Sequence, residues 1–283
     1  MSQRRRGGPL AWVVMPVLGL HALVLVVLPT LVLVAYAFAD RDDLGDVVAS
    51  PSTEAARRVF SPVYLGILGT SLGWAGAVTA FCLVIGLPIA WTLAMARPPW
   101  DRRLLALVMI PFFTSILVRA YALMTLLAAE GWVAGALGAL GVLKGPPELL
   151  YTPGAAMLGL VSVYLPMAVL PLHASVAKLD PTLLEAALDL GATPVRAFVH
   201  VVLPLLRPGI LAAVTLTFVP SIGMFAVVDL LGGGRTPLVG SVIANQLGGA
   251  RDWPFGAALG VVLVALFVAG SLATRALARG ARA

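Results

Sequence analysis

Residues 180–210 read DPTLLEAALDLGATPVRAFVHVVLPLLRPGI, a pattern of two short helices joined by a glycine turn. Asp180 is a helix-capping residue, and Pro181 after it is pre-organised for a first helical turn, where its missing N–H loses no partner. Gly191 stands where a helix stops after Leu190, because glycine enters the left-handed conformation without a steric penalty. Thr193 and Pro194 repeat the start signal. The second helix is expected to run through Phe198 and Val202 until Pro204 removes a backbone donor. This polar-flanked hairpin lies inside a chain that is otherwise overwhelmingly apolar.

The 283 residues are 60% hydrophobic and only 11% charged, which is too little polar surface for a soluble globule of that size. The expectation is an all-α polytopic membrane protein with six transmembrane helices in a single domain, 1–283. Apolar runs place the spans at about 10–39, 64–96, 104–128, 153–175, 208–230 and 254–274, with the hairpin 180–207 between the fourth and fifth. Arg4–Arg6 before the first run resemble a signal peptide, but the run is too long for one, so an uncleaved first span from near Leu10 is expected. Between the spans, 40–62 carries Asp42, Asp43, Asp46 and Glu54 and reads as an outer loop. The segment 130–152 contains an apolar piece, Trp132 to Leu143, too short to cross a bilayer, which suits an interfacial or re-entrant helix. In 231–253, Gly232-Gly233-Gly234 reads as a turn.

Charge orients this topology. Of nineteen Lys and Arg, twelve fall on the side of the hairpin, six on the other, and Arg119 lies within a span. The excess places both termini and the hairpin in the cytoplasm. The net charge of +6 is dispersed among short loops rather than gathered on a face, so nucleic acid is not an expected partner. Cys82 is the single cysteine, which excludes an internal disulfide and a cysteine-based metal site. His21, His173 and His200 have no ligand spacing, so no metal is expected. Trp74, Trp91, Trp100, Trp132 and Trp253 mostly fall near span ends, as an aromatic belt would place them. The chain holds no GxxxxGK[ST] phosphate loop and no nucleophile with a nearby base. Catalysis is not expected of it.

Glu185-Ala186-Ala187, Gly191 four residues further on, and Leu203-Pro204 resemble the EAA loop of ABC importer permeases, with Val201 where that motif usually carries Ile. The resemblance implies the type I importer permease fold in a bacterial inner membrane. It also implies two copies of a separate ATPase that bind ATP and Mg, a second permease subunit, and a periplasmic solute-binding protein. On this reading the hairpin docks on the ATPase: Glu185 holds its seat by charge and hydrogen bonding, Ala186 and Ala187 allow close approach, and Gly191 permits the sharp turn. The alternative is a plain connection between spans, with Glu185 a solvated surface charge.

Three further stretches, 111–121, 220–233 and 251–258, resemble permeases for spermidine and putrescine. They make Arg119, Tyr121, Met224, Phe225 and Asp229 candidates for the translocation pathway. Asp229 and Phe225 share a helix face at i and i+4, and a carboxylate beside an aromatic ring suits an amine by Coulomb attraction and cation–π contact. Asp229 could equally end its span at the interface. Arg119 could serve a gate or pair with backbone carbonyls, its sign being awkward for a cationic solute. A different small solute remains open. An ion-gradient-driven secondary transporter would want buried carboxylates near mid-span, and the spans are nearly free of them.

Overall fold

The computed structural model describes residues 16–17, 19–21, 23–42, 47–48, 50–140 and 148–280. Arg4–Arg6, the expected start of the first span at 10–15, Asp43, Asp46, residues 141–143 of the short apolar piece, Lys144 and Arg282 lie outside them. Among the described residues the chain is helical apart from one small hairpin of strands. Five helical stretches are long and apolar enough to cross a membrane: Gly19–Ala37, Pro62–Met95, Ile116–Leu137, Pro153–Val176 and Trp253–Thr274. The pair Pro194–Leu205 and Arg207–Ile222, bent by 69°, makes a sixth if counted as one span. That is the expected all-helical membrane architecture.

The chain divides into two compact units. The larger comprises 66–242 and 265–283. It holds most of α3 (Pro62–Met95), then α4 (Trp100–Met109), α5 (Ile116–Leu127), α6 (Trp132–Ala139), α7 (Pro153–Val176), α8 (Pro181–Asp189), α9 (Pro194–Leu205), α10 (Arg207–Ile222) and α11 (Ala226–Gly232). Helix α7 is its centre. Leu160, Tyr164, Ala168 and Leu172 of α7 are buried with Val78 and Cys82 of α3, Ala213 of α10, and Val227 and Leu231 of α11. Lipid is as apolar as leucine, so helices in a membrane gain by close packing rather than by leaving water, and small residues at the contact make that possible. Ala155, Ala156, Gly159 and Ala168 along α7 do so. Hydroxyls add ties: Thr217 and Thr79, both buried, lie 3.3 Å apart between α10 and α3. Ser71 accepts the Val239 N–H at 2.8 Å.

Two expected spans are broken helices. In the third, α4 gives way to a 3-10 turn at Ile110–Phe113, and extended backbone at Thr114 and Ser115 precedes α5. Pro111 donates no hydrogen bond, which weakens the helix there. In the fifth, α10 ends at Ile222 and α11 begins at Ala226. Pro220 and Gly223 remove a donor and lower helix propensity at that point, and Met224 N–H turns to Ser221 O at 3.3 Å. Beyond its glycine turn, the stretch 231–253 also contains α12 (Val239–Leu247). Gly233 and Gly234 have φ of +64° and +69°.

The smaller unit comprises the chain up to Leu65 and Ile243–Val264. It includes α1 (Leu28–Ala37), the antiparallel strands β1 (Asp40–Arg41) and β2 (Val47–Val48), α2 (Glu54–Val59) and the first part of α13 (Trp253–Gly280). Asp252 organises it. This residue is 5% exposed, caps α13 by accepting Phe255 N–H at 3.2 Å, and pairs with Arg58 at 2.7 Å and Arg41 at 3.7 Å. The Arg58 guanidinium lies 4.2 Å over the Phe255 ring, which also packs on Tyr64 at 4.6 Å. Burial opposes the Arg58 charge, but the hydrogen bond and charge of Asp252, with a smaller share from Tyr64, raise its pKa above the ordinary arginine value. Arg41 and Arg58, plain loop charges by sequence, therefore bind the segment that follows α1 to the start of α13.

Candidate functional site

The hairpin forms as local rules dictate. Asp180 caps α8, accepting from Thr182 N–H at 3.0 Å and from the Thr182 hydroxyl at 2.8 Å. Those hydrogen bonds, the hydroxyl's first, hold its carboxyl below the usual range. At the far end Gly191 N–H bonds Leu188 O and Ala192 N–H bonds Ala187 O, at 2.9 and 3.1 Å. This paired closure returns two orphan carbonyls to partners and requires a left-handed residue between them. Gly191 supplies it at φ +85°. Thr193 then caps α9 through Arg196 N–H.

Glu185 and Ala186 are exposed, Ala187 is half-buried, and Leu203 and Pro204 are half-buried in α9. Exposed apolar side chains stand with them: Leu190 is 90% and Val195 72% exposed. Neither was singled out by motif, although a leucine beside the turn glycine is a visible signal. These side chains are left uncovered and are available for contact.

The base of the hairpin is anchored. Helix α9 does not stop at Pro204; it passes through a π turn at Phe198–Val202, continues to Leu205 and bends into α10. The wider turn accommodates Pro204, which has no N–H to bond back. Val176, Val202 and Leu206 are buried together with Leu87, Trp91, Ala94, Leu184 and Phe198 around them. Trp91 meets Phe198 with ring centroids 6.5 Å apart, so this tryptophan, near the end of α3, packs against the hairpin. A small apolar cavity lies between Trp91, Met95, Leu184, Val201 and Leu205. Beyond it α10 presses on α7 at Gly209, where a Cβ would come 2.8 Å from Pro171 O and 2.6 Å from Ser175 Cβ. Nothing larger than glycine fits there without displacing backbone.

The pathway candidates are less tightly grouped. Helix α11, which carries Asp229, packs on α5 and α7. Asp229 is half-buried and accepts from the Ser241 hydroxyl at 2.7 Å; its N–H bonds Phe225 O at 2.8 Å, one helical turn back. Ser241 was not legible as its partner, because it lies on α12, a helix that the sequence reading did not contain. Phe225 and Tyr121 are 42% and 57% exposed, while Met224 packs on the core. Arg119 donates to Ser162 O at 3.1 Å, to Pro111 O, and to Thr114 O and Oγ1 at 3.4 and 3.2 Å. It ties the break in the third span to α7, through Ser162 O on one side and, on the other, Pro111 O, which also accepts from the Thr114 N–H and hydroxyl.

The chain matches known proteins over most of its length. The family model described as "Binding-protein-dependent transport system inner membrane component" matches residues 83–283. The spermidine/putrescine transport system permease protein PotB of Escherichia coli (strain K12) is 41% identical over 238 residues, 84% of this chain and 86% of that one. PotB of Haemophilus influenzae is 39% identical over 246 residues, 86% of each. Among solved structures, a chain of the bacterial alginate ABC transporter, in complex with an alginate pentasaccharide-bound periplasmic protein, has TM-score 0.74 at 18% identity, covering 95% and 94% of the two chains. A chain of the MetNI methionine ABC transporter in an inward-facing conformation has TM-score 0.54 at 20% identity, covering 78% and 99%. At such identities the structures speak to fold alone.

Proposed function

The chain belongs to the family of binding-protein-dependent transport system inner membrane components, and we propose that it is the ABC importer permease subunit that carries spermidine, putrescine or a related small organic cation inward. It is a multi-pass inner-membrane transport subunit. The observation that carries the cargo reading is the 41% identity to a spermidine/putrescine permease across 84% of the chain.

The energy comes from a separate ATPase pair that binds ATP and Mg. This chain joins a second permease subunit and receives solute from a periplasmic binding protein, where most of the selectivity resides. The hairpin is the coupling element: Glu185 and Ala186, flanked by Leu190 and Val195, enter the ATPase groove on the cytoplasmic side, where both termini also lie. Rigid attachment at Trp91–Phe198 and at Gly209 against α7 supports this reading, because a displaced hairpin then moves α3, α7 and α10 together. Asp229 and Phe225 offer a passing ammonium group a carboxylate and a ring face.

Reconstitution of the four components in proteoliposomes tests both roles. Glu185→Lys is expected to abolish ATP hydrolysis stimulated by loaded binding protein, with insertion unchanged. Asp229→Asn is expected to slow polyamine uptake at unchanged basal hydrolysis, whereas Ser241→Ala, which removes only the donor to Asp229, leaves uptake closer to wild type. Full stimulation in the first variant refutes the coupling role, and unchanged uptake in the second refutes the pathway role.

A further inference from the structure

Helix α4, Trp100–Met109, follows the turn that carries Arg97 and presents two unlike faces. Asp101, Leu104, Leu105 and Val108 turn inward, the last three onto the core around α7. The other face is open and graded along its length. At its start Arg97, Arg102 and Arg103 are exposed, and none of them pairs with a carboxylate among the described residues. Trp100 is 59% exposed with the Arg103 guanidinium 5.4 Å over its ring. One to three turns further on, along α4 and the 3-10 turn that follows it, the exposed side chains are Leu107 at 64%, Ile110 at 60% and Phe113 at 81%.

We propose that this face is a binding site for an anionic phospholipid. Arg102 and Arg103 take the headgroup phosphate, Trp100 sits at the headgroup level, and Leu107, Ile110 and Phe113 receive an acyl chain. Three exposed cations within seven residues with no carboxylate partner among the described residues attract an anion, and the apolar side chains that follow them on the same face favour an anion that carries a hydrocarbon tail. An acidic protein surface would match the arginines but would leave Leu107, Ile110 and Phe113 uncovered. Stacking on Trp100 holds the Arg103 guanidinium in place, so less freedom is lost when the phosphate arrives. The leaflet rests on the cytoplasmic placement proposed above. The site itself does not, because its test is made in detergent, where there are no sides.

The purified complex is titrated with phosphatidylglycerol or phosphatidylethanolamine in detergent and lipid adducts are counted by native mass spectrometry. Wild type is expected to hold phosphatidylglycerol preferentially. Arg102→Gln/Arg103→Gln is expected to weaken that retention about 30-fold, from about 1 kcal/mol per basic residue at a charged headgroup and 1.4 kcal/mol per tenfold. Arg102→Lys/Arg103→Lys, which keeps the charge, should recover most of it, and Leu107→Asn should lower retention of long-chain lipid more than of a short-chain analogue. Equal adducts on wild type and the glutamine variant overturn the proposal. So does loss of the ATPase from the complex with lipid retention unchanged, which assigns the arginines to an acidic protein surface. Spermidine uptake by wild type, measured separately, reports on the cargo reading whichever way the lipid result falls.

Discussion

Replacing Gly191 in a graded series tests whether the turn, rather than its surface, sets coupling. At φ +85° an L residue suffers roughly 1–2 kcal/mol of backbone strain. A Cβ added there meets nothing within 4 Å, so strain acts alone. Asn, which tolerates the left-handed region, should cost least; Ala should cost about 1–2 kcal/mol; β-branched Val should cost more. Pro is worst, at about 3 kcal/mol or more, because its ring fixes φ near −65° and deletes the N–H that bonds Leu188 O at 2.9 Å. A strain of 1–2 kcal/mol lowers the population of the docking-competent turn by a factor of about 5–30. In ATPase titrations on reconstituted complex, the ATPase concentration giving half-maximal stimulation should therefore rise in the order Gly, Asn, Ala, Val, Pro. Equal insertion of all five is checked by membrane fractionation. An order following side-chain volume or helix propensity, or wild-type stimulation in Gly191→Pro, refutes the reasoning.

Gly209→Val should lower the melting temperature of the detergent-solubilised permease and reduce stimulated hydrolysis together, since the added atoms collide with Pro171 O and Ser175; Gly209→Ala should do so less. Arg119→Gln should destabilise by on the order of 3 kcal/mol, from two or three hydrogen bonds of a charged donor, read as a lower denaturant midpoint with cargo selectivity unaltered. Asp252→Ala strands Arg58 and uncaps α13, so proteolysis within 40–62 should accelerate while ATPase docking at the hairpin is retained. For Asp180 the folded pKa lies below the unfolded value near 3.9, so its contribution is fully present above that value and disappears as pH falls through the folded pKa. Exchange protection at Thr182 and Leu183, corrected for intrinsic rate, should therefore be flat from pH 7 to 5 and fall only below about 4.

The parts of this protein legible from sequence are those decided within a few residues or by the solvent. The membrane forces unbroken apolar runs into helices, because no water is present to satisfy exposed backbone; hence the spans could be read from composition. Caps and turns use partners two to five positions away, so Asp180, Gly191 and Thr193 mark the hairpin in the sequence itself. Contacts between segments leave no such signature. Asp252 and Arg58 meet across 194 positions, Arg119 reaches Ser162 across 43, and Asp229 finds Ser241 on a helix between the glycine turn and α13. The breaks at Thr114–Ser115 and Gly223–Phe225 belong to the same class. Proline and glycine weaken a membrane helix, but neighbouring helices can restore what is lost, and only packing decides between a kink and a break. Local chemistry therefore determined that a hairpin exists at 180–207. Tertiary structure alone decided that Trp91, Gly209 and α7 hold it fast, because those atoms become neighbours only when the helices pack.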